Sequence, residues 1–211
     1  MRYDGAAEVL HDITLTLKSG SFYFLTGPVG AGKTSLLRLL SLSHPAYRGT
    51  IRVFGRDFAL VGREEAARLR QRIGVVFQDF RLLEHLSAFD NVALPLRIAG
   101  ADDERVAASV PEMLRWLGLD AVMEAPPRQL SMGERQLVCI ARAVVTRPAL
   151  LLADEPTSNV DPERAERLMH LFVQLHGLGT SVVLSTHSQD LPRRHPFPGL
   201  RLEAGRLVAA A

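Results

Sequence analysis

Gly27-Pro28-Val29-Gly30-Ala31-Gly32-Lys33-Thr34 has the form G-x-x-x-x-G-K-[ST], and the residues on either side give that form its meaning. Phe22-Tyr23-Phe24-Leu25 reads as a short apolar strand, and Lys33 to Leu42 as a leucine-rich helix bounded by Pro45. A strand that turns through glycines into a helix makes a cradle for phosphate. The glycines let the backbone curl with successive N–H groups inward, and the helix adds the positive end of its dipole. Chance produces the eight-residue pattern in about one chain in a hundred of this length, before the strand and helix are required. Gly27, Pro28, Val29, Gly30, Ala31, Gly32, Lys33 and Thr34, with Ser35 behind them, are thus the candidate binders of a nucleoside triphosphate. Lys33 suits the β and γ phosphates, and the Thr34 hydroxyl suits Mg²⁺.

Outward from this loop, strands and helices alternate. Thr50 to Phe54 and Ile73 to Phe77 read as strands, with a polar helix from Glu64 to Arg72 between them. From Ser87 to Thr146 strand signals vanish. Val106, Val110, Met113, Leu114 and Leu117 recur at helical spacing there, and a second helix runs from Met132 to Thr146. Strands return at Ala149 to Ala153 and Ser181 to Ser185, around a helix from Pro162 to His176, and the tail reads as a hairpin turning at Ala204-Gly205. The pattern predicts an α/β core interrupted by an all-helical insertion.

Composition narrows the function. The chain has 211 residues, 47% hydrophobic and 23% charged, with a formal net charge of +2, which suits one sizeable domain and excludes disordered, collagen-like or coiled-coil classes. One cysteine, Cys139, excludes a disulfide framework and a multi-cysteine zinc site. Lys and Arg are scattered along the chain, so nucleic acid is not an expected partner. No apolar run approaches the roughly 18 to 20 residues of a spanning helix, and the first residues lack the apolar core of a signal peptide. A cytoplasmic location is expected, with any membrane role exercised through another protein.

Leu150-Leu151-Leu152-Ala153 is nearly continuous in its apolarity, as a parallel strand covered on both faces should be, and it ends in Asp154-Glu155. Taken alone, two acids before Pro156 could be a solvated turn. Beside the phosphate loop they read as a Mg²⁺-side carboxylate, Asp154, and a group that orients or deprotonates the attacking water, Glu155.

Leu130-Ser131-Met132-Gly133-Glu134 resembles the LSGGE signature of the ABC transporter-type ATPases, and Ser131 with Glu134 also forms a helix-starting capping box. The order of motifs carries the resemblance. It runs phosphate loop, Gln78 after a strand, signature, Asp154-Glu155, Ser158-Asn159-Val160-Asp161, then His187 after the strand Ser181 to Ser185. The likeness implies a single domain over residues 1–211. A RecA-like P-loop NTPase core and a small antiparallel β-subdomain would take residues 1–86 and 147–211, and a helical signature subdomain residues 87–146. It implies a homodimer that sandwiches two Mg-ATP, with Ser131, Met132, Gly133 and Glu134 acting on the partner's nucleotide. It also implies Gln78 near Mg²⁺, His187 on the γ-phosphate as a second catalytic group, Asp161 coupling the two sites, and Tyr3 as a platform for adenine.

Gly74-Val75-Val76-Phe77-Gln78-Asp79-Phe80-Arg81-Leu82-Leu83 and Asn91-Val92-Ala93-Leu94-Pro95-Leu96 closely resemble the FtsE branch of that family, the ATPases of bacterial cell division. That likeness implies an FtsX-like integral membrane partner docked around Phe77 to Leu83, with Phe80, Leu82 and Leu83 as contacts. The chain would sit peripherally on the inner face of the cell membrane. Export ATPases of the LolD and MacB types share the acidic-strand motif, and an ATP-gated module with little hydrolysis is a further reading. Three departures stand out. Met132 replaces the first signature glycine, Leu137 replaces an arginine, and the family's pattern implies one more strand before Tyr3.

Overall fold

The computed structural model describes residues 9–210. Tyr3 and any strand before it lie outside the described residues. In chain order the elements are β1 (Phe22–Thr26), α1 (Lys33–Leu40), β2 (Arg52–Val53), β3 (Arg56–Asp57), α2 (Arg63–Gln71), β4 (Ile73–Val76), α3 (Ala88–Ile98), α4 (Asp103–Trp116), α5 (Met132–Val144), β5 (Leu150–Asp154), α6 (Pro162–Gly177), β6 (Ser181–Ser185), α7 (Asp190–Arg194), β7 (Gly199–Glu203) and β8 (Arg206–Ala210). Among the described residues six strands form one sheet in the order β4-β5-β6-β1-β7-β8, parallel except for the β7–β8 pair.

Period-two alternation explains why this sheet is covered on both faces. Phe22 and Phe24 of β1, Leu151 and Ala153 of β5, and Val182 and Leu184 of β6 point into one core with α3, α4, α5 and α6. Leu25, Leu150, Leu152 and Val183 point the other way, against Leu36 and Leu37 of α1 and Leu69 of α2. All five β5 residues are buried, as the apolar run predicts for a central parallel strand.

Several elements differ from the sequence pattern for local reasons. The expected strand from Thr50 to Phe54 shrinks to Arg52–Val53, because the chain turns at Phe54-Gly55, both left-handed (φ 48° and 80°), and pairs back on Arg56–Asp57. This hairpin is the small antiparallel sheet. Helix α3 lies outside the periodicity described above. It starts at Ser87, whose hydroxyl accepts from the Asp90 N–H, and it tolerates Pro95 in its interior. The C-terminal hairpin turns where expected, and β7 also pairs in parallel with β1, so it extends the main sheet. The inserted helices share the core of the sheet: Val92, Val110 and Val138 belong to the same buried cluster as Phe24 and Leu151.

Candidate nucleotide site

The carboxyl ends of β1, β5 and β6 open on one side of the sheet, where open α/β folds bind ligands. The loop after β1 can pass there only as glycine. Gly27 has φ 146°, and a Cβ on it would stand 2.1 Å from the Leu202 carbonyl oxygen of β7. Gly32, at φ 102°, caps α1, whose first turn holds no acidic residue. The positive end of its dipole therefore meets no carboxylate within the helix's own first turn. Lys33 curls back over that space, its Nζ donating to the Gly27 oxygen at 2.8 Å and the Pro28 oxygen at 3.2 Å.

The acidic strand meets the loop directly. Thr34 Oγ1 donates to Asp154 Oδ2 at 2.7 Å, and Ser185 Oγ donates to Asp154 Oδ1 at 2.5 Å. Register places Ser185 opposite Asp154 across β5 and β6, so the buried carboxylate holds a hydroxyl on each oxygen. Ser185 was not among the residues singled out by motif. Its signal is a hydroxyl closing an otherwise apolar strand, which acquires meaning only once β6 is known to lie beside β5.

Glu155 follows with a left-handed backbone, φ 49°. Its N–H donates to Ser185 Oγ at 3.1 Å, which turns the chain sharply at the strand end. Such a conformation costs on the order of 1–3 kcal/mol in a non-glycine residue and gathers at functional sites. The side chain is mostly buried, and Oε2 lies 2.8 Å from His187 Nδ1. Burial raises the Glu155 pKa above the ordinary glutamate value, against the opposing pull of His187 and Lys33.

One cavity gathers Val29 to Ser35, Gln78, Asp154, Glu155, Ser158 and His187, with Val9 at its edge. Gln78 reaches it from the loop after β4. Thr34, Asp154 and Gln78 present oxygen donors only, which fits Mg²⁺, a hard cation that keeps several waters and takes few protein ligands. Among the described residues no cluster of three His, Cys, Asp or Glu competes as a metal site.

The signature residues stand apart. Ser131, Met132, Gly133 and Glu134 do not line this cavity. They open α5 through a complete capping box: the Ser131 N–H and hydroxyl donate to Glu134 Oε2 at 2.8 and 2.7 Å, and the Glu134 N–H donates to Ser131 Oγ at 3.3 Å. The Ser131 hydroxyl and N–H hold the Glu134 carboxyl below its ordinary pKa. Met132 is 62% exposed, so its side chain extends away from the protein. Gly133 backs onto the loop before α6, where a Cβ would meet the Asn159 oxygen at 3.2 Å. Asp161 caps α6 by accepting from the Arg164 N–H, and that bond lowers its pKa.

This fold and cavity define a P-loop nucleotide hydrolase. The ABC transporter family profile matches residues 10–158. The chain is 40% identical over 203 residues to the cell division ATP-binding protein FtsE of Mycobacterium tuberculosis, covering 96% of this chain and 88% of that protein. It is also 40% identical to FtsE of Escherichia coli K12 over 205 residues, or 97% and 92%. The methionine import ATP-binding protein MetN of Xylella fastidiosa matches at 38% over 200 residues, 94% of this chain and 60% of MetN. Two dimeric structures of an ATP-binding cassette superpose with TM-scores of 0.90 and 0.92 at 30% and 29% identity, covering 96% and 99% of this chain and 90% and 94% of theirs. The first of them is a post-hydrolysis state bound to ADP and Pi. The chain belongs to the ABC transporter family, as an ATPase of that family. No described helix is long and apolar enough to cross a membrane.

Proposed function

We propose that the chain binds Mg-ATP in the cavity between Lys33 and Glu155, hydrolyses it as a homodimer, and uses the cycle to move an FtsX-like membrane protein in cell division. The observation that carries the ATPase part is the convergence of Lys33, Thr34, Asp154, Glu155 and His187 on one cavity. The backbone N–H groups of Gly30 to Thr34 and the Lys33 ammonium neutralise the phosphates, and Tyr3 would stack on the base. Thr34, Asp154 and Gln78 would hold Mg²⁺, which supplies charge neutralisation on the phosphate oxygens when bound.

Glu155 is the general base. Its raised pKa makes the carboxylate a better proton acceptor, and His187 orients it through the 2.8 Å contact. Water oxygen bonds to the γ-phosphorus as the bond to the β,γ-bridging oxygen breaks. ADP departs, and the water proton passes to Glu155. The exposed helix N-terminus at Ser131 to Gly133 supplies the second set of donors, from the other subunit, and Asp161 couples the two sites across the interface. The dimeric cassette structures at 29–30% identity support this arrangement.

Identity to FtsE near 40% over almost the whole chain supports the cell-division role, with the membrane partner seated around Phe77 to Leu83. In this assembly residues 87–146 act as a signature subdomain on the core. The 38% match to MetN favours a second reading, a transport ATPase under a permease. Steady-state ATPase with and without Glu155→Gln tests the enzyme: equal, negligible turnover in both would sink it. Co-purification from membranes separates the readings, since recovery of a permease with a bound solute would replace the cell-division role.

A further inference from the structure

The segment between β4 and α3 carries Gln78 into the nucleotide cavity, and Phe77 and Arg81 into a separate apolar groove lined also by Leu94, Ile98 and Arg142. Its turn is strained. Phe80 and Arg81 are consecutive non-glycine residues in the left-handed region, at φ 56° and 52°. Two such residues in a row are unfavourable for L-amino acids and persist only where the surroundings impose them. Arg81 folds back on its own loop, pairing with Asp79 at 3.0 Å and lying over the Phe77 ring at 3.9 Å.

What imposes the turn comes from α5. Arg142 Nη2 donates to the Phe80 oxygen at 2.8 Å and Nη1 to the Arg81 oxygen at 2.6 Å. Cys139, one turn earlier, donates from Sγ to the same Phe80 oxygen at 2.9 Å. Burial pushes the Cys139 thiol up to about 12, so it keeps its proton and remains a donor. The guanidinium fork thus serves carbonyls to which no backbone N–H among the described residues donates. Farther along, buried Asn91 of α3 accepts from the Leu83 N–H at 2.8 Å and donates to the Leu83, Leu86 and Ser87 oxygens. The loop is therefore fastened to the inserted helices at both its middle and its end, while Gln78 adjoins the sheet.

We propose that Arg142 is a positioning residue for nucleotide turnover. With the Cys139 thiol it clamps the strained Phe80–Arg81 turn onto the signature helix, so that Gln78 is held in the cavity and follows any movement of α5. This rests on reading Gln78 as a contact to bound Mg-ATP. The clamp makes one body of the signature helix and the loop, and it links both to the groove where Phe77 and Arg81 are displayed.

Two measurements on the full chain test it. Trypsin cleavage at the Arg81–Leu82 bond, followed by mass spectrometry without nucleotide, reads the clamp independently of activity. Arg142→Gln should be cut there at least tenfold faster, with other sites unchanged, and an unchanged rate overturns the proposal. In turnover, Arg142→Gln should lower kcat about tenfold with KM for Mg-ATP within twofold. The same substitution should cost threefold or less beside Arg81→Gly, which tolerates the left-handed turn, yet still about tenfold beside Arg81→Ala, which does not. Equal losses in both backgrounds overturn it. If Arg142→Gln does not fold, Arg142→Lys, which keeps the charge but not the fork, carries both measurements. A wild-type chain without turnover defeats the ATPase reading while leaving the trypsin result to judge the clamp.

Discussion

The two halves of the proposed catalytic machinery are built in opposite ways. At the sheet edge, Asp154 is buried with a hydroxyl on each oxygen, Glu155 is held to His187, and Lys33 is tethered to loop carbonyls. At the start of α5, Ser131 and Glu134 hydrogen-bond to each other, Met132 is exposed, and none of the four signature residues lines the nucleotide cavity. One half is preorganised within a single chain, and the other is a capped helix start whose first residues lie at the surface, where the positive end of the dipole is presented. Preorganised charge is what makes chemistry fast, whereas an outward helix terminus waits for an anion brought by another body. On the proposed function, the difference accounts for a single chain that holds the chemical groups yet uses them with a second copy.

The comparison predicts where damage is greatest. Glu155→Gln should lower kcat by about 10²–10⁴, the range for losing a general base, while retaining ATP affinity and accumulating an ATP-dependent dimer. Single-turnover hydrolysis and size-exclusion chromatography check this, and a monomer at saturating Mg-ATP would break the shared-site picture. Lys33→Ala should weaken nucleotide binding by about 10–150-fold, the value of a charged hydrogen bond, read by titration with a fluorescent ATP analogue. Ser185→Ala should leave one oxygen of buried Asp154 without its donor, destabilising the fold by about 1–3 kcal/mol in urea denaturation.

Smaller effects sharpen the contrast. Because burial raises the Glu155 pKa and only the carboxylate accepts a proton, kcat should climb with pH through a limb above the ordinary glutamate value. His187 pulls that pKa down, so His187→Ala should shift the limb to higher pH, and pH–rate profiles of both proteins decide it. At the other half, Ser131→Ala should cost about 1 kcal/mol in thermal or urea unfolding through the lost cap.

The phosphate loop was legible because a fixed octet, a preceding strand and a following helix are all local. Asp154 and Glu155 were legible because an apolar run that ends in acids signals the edge of a buried strand. Ser185 was not, since its role exists only through register with Asp154 on a strand far away in sequence. Helix α3 escaped because Pro95 and Asn91 blur its period, and Asn91 is there to serve the loop carbonyls rather than the helix. The clamp at Arg142 escaped for a similar reason: nothing local marks an arginine whose partners are carbonyls about sixty positions away.

By itself the sequence determined the class of chemistry and the α/β alternation, because glycine spacing, hydrophobic period and the order of motifs are properties of neighbours along the chain. Tertiary structure alone decided which hydroxyls hold Asp154, that the C-terminal hairpin joins the main sheet, and that the loop bearing Gln78 is strapped to the signature helix. Those outcomes depend on strand order and on hydrogen bonds between distant backbones. A linear pattern carries no distance between residues that only folding brings together.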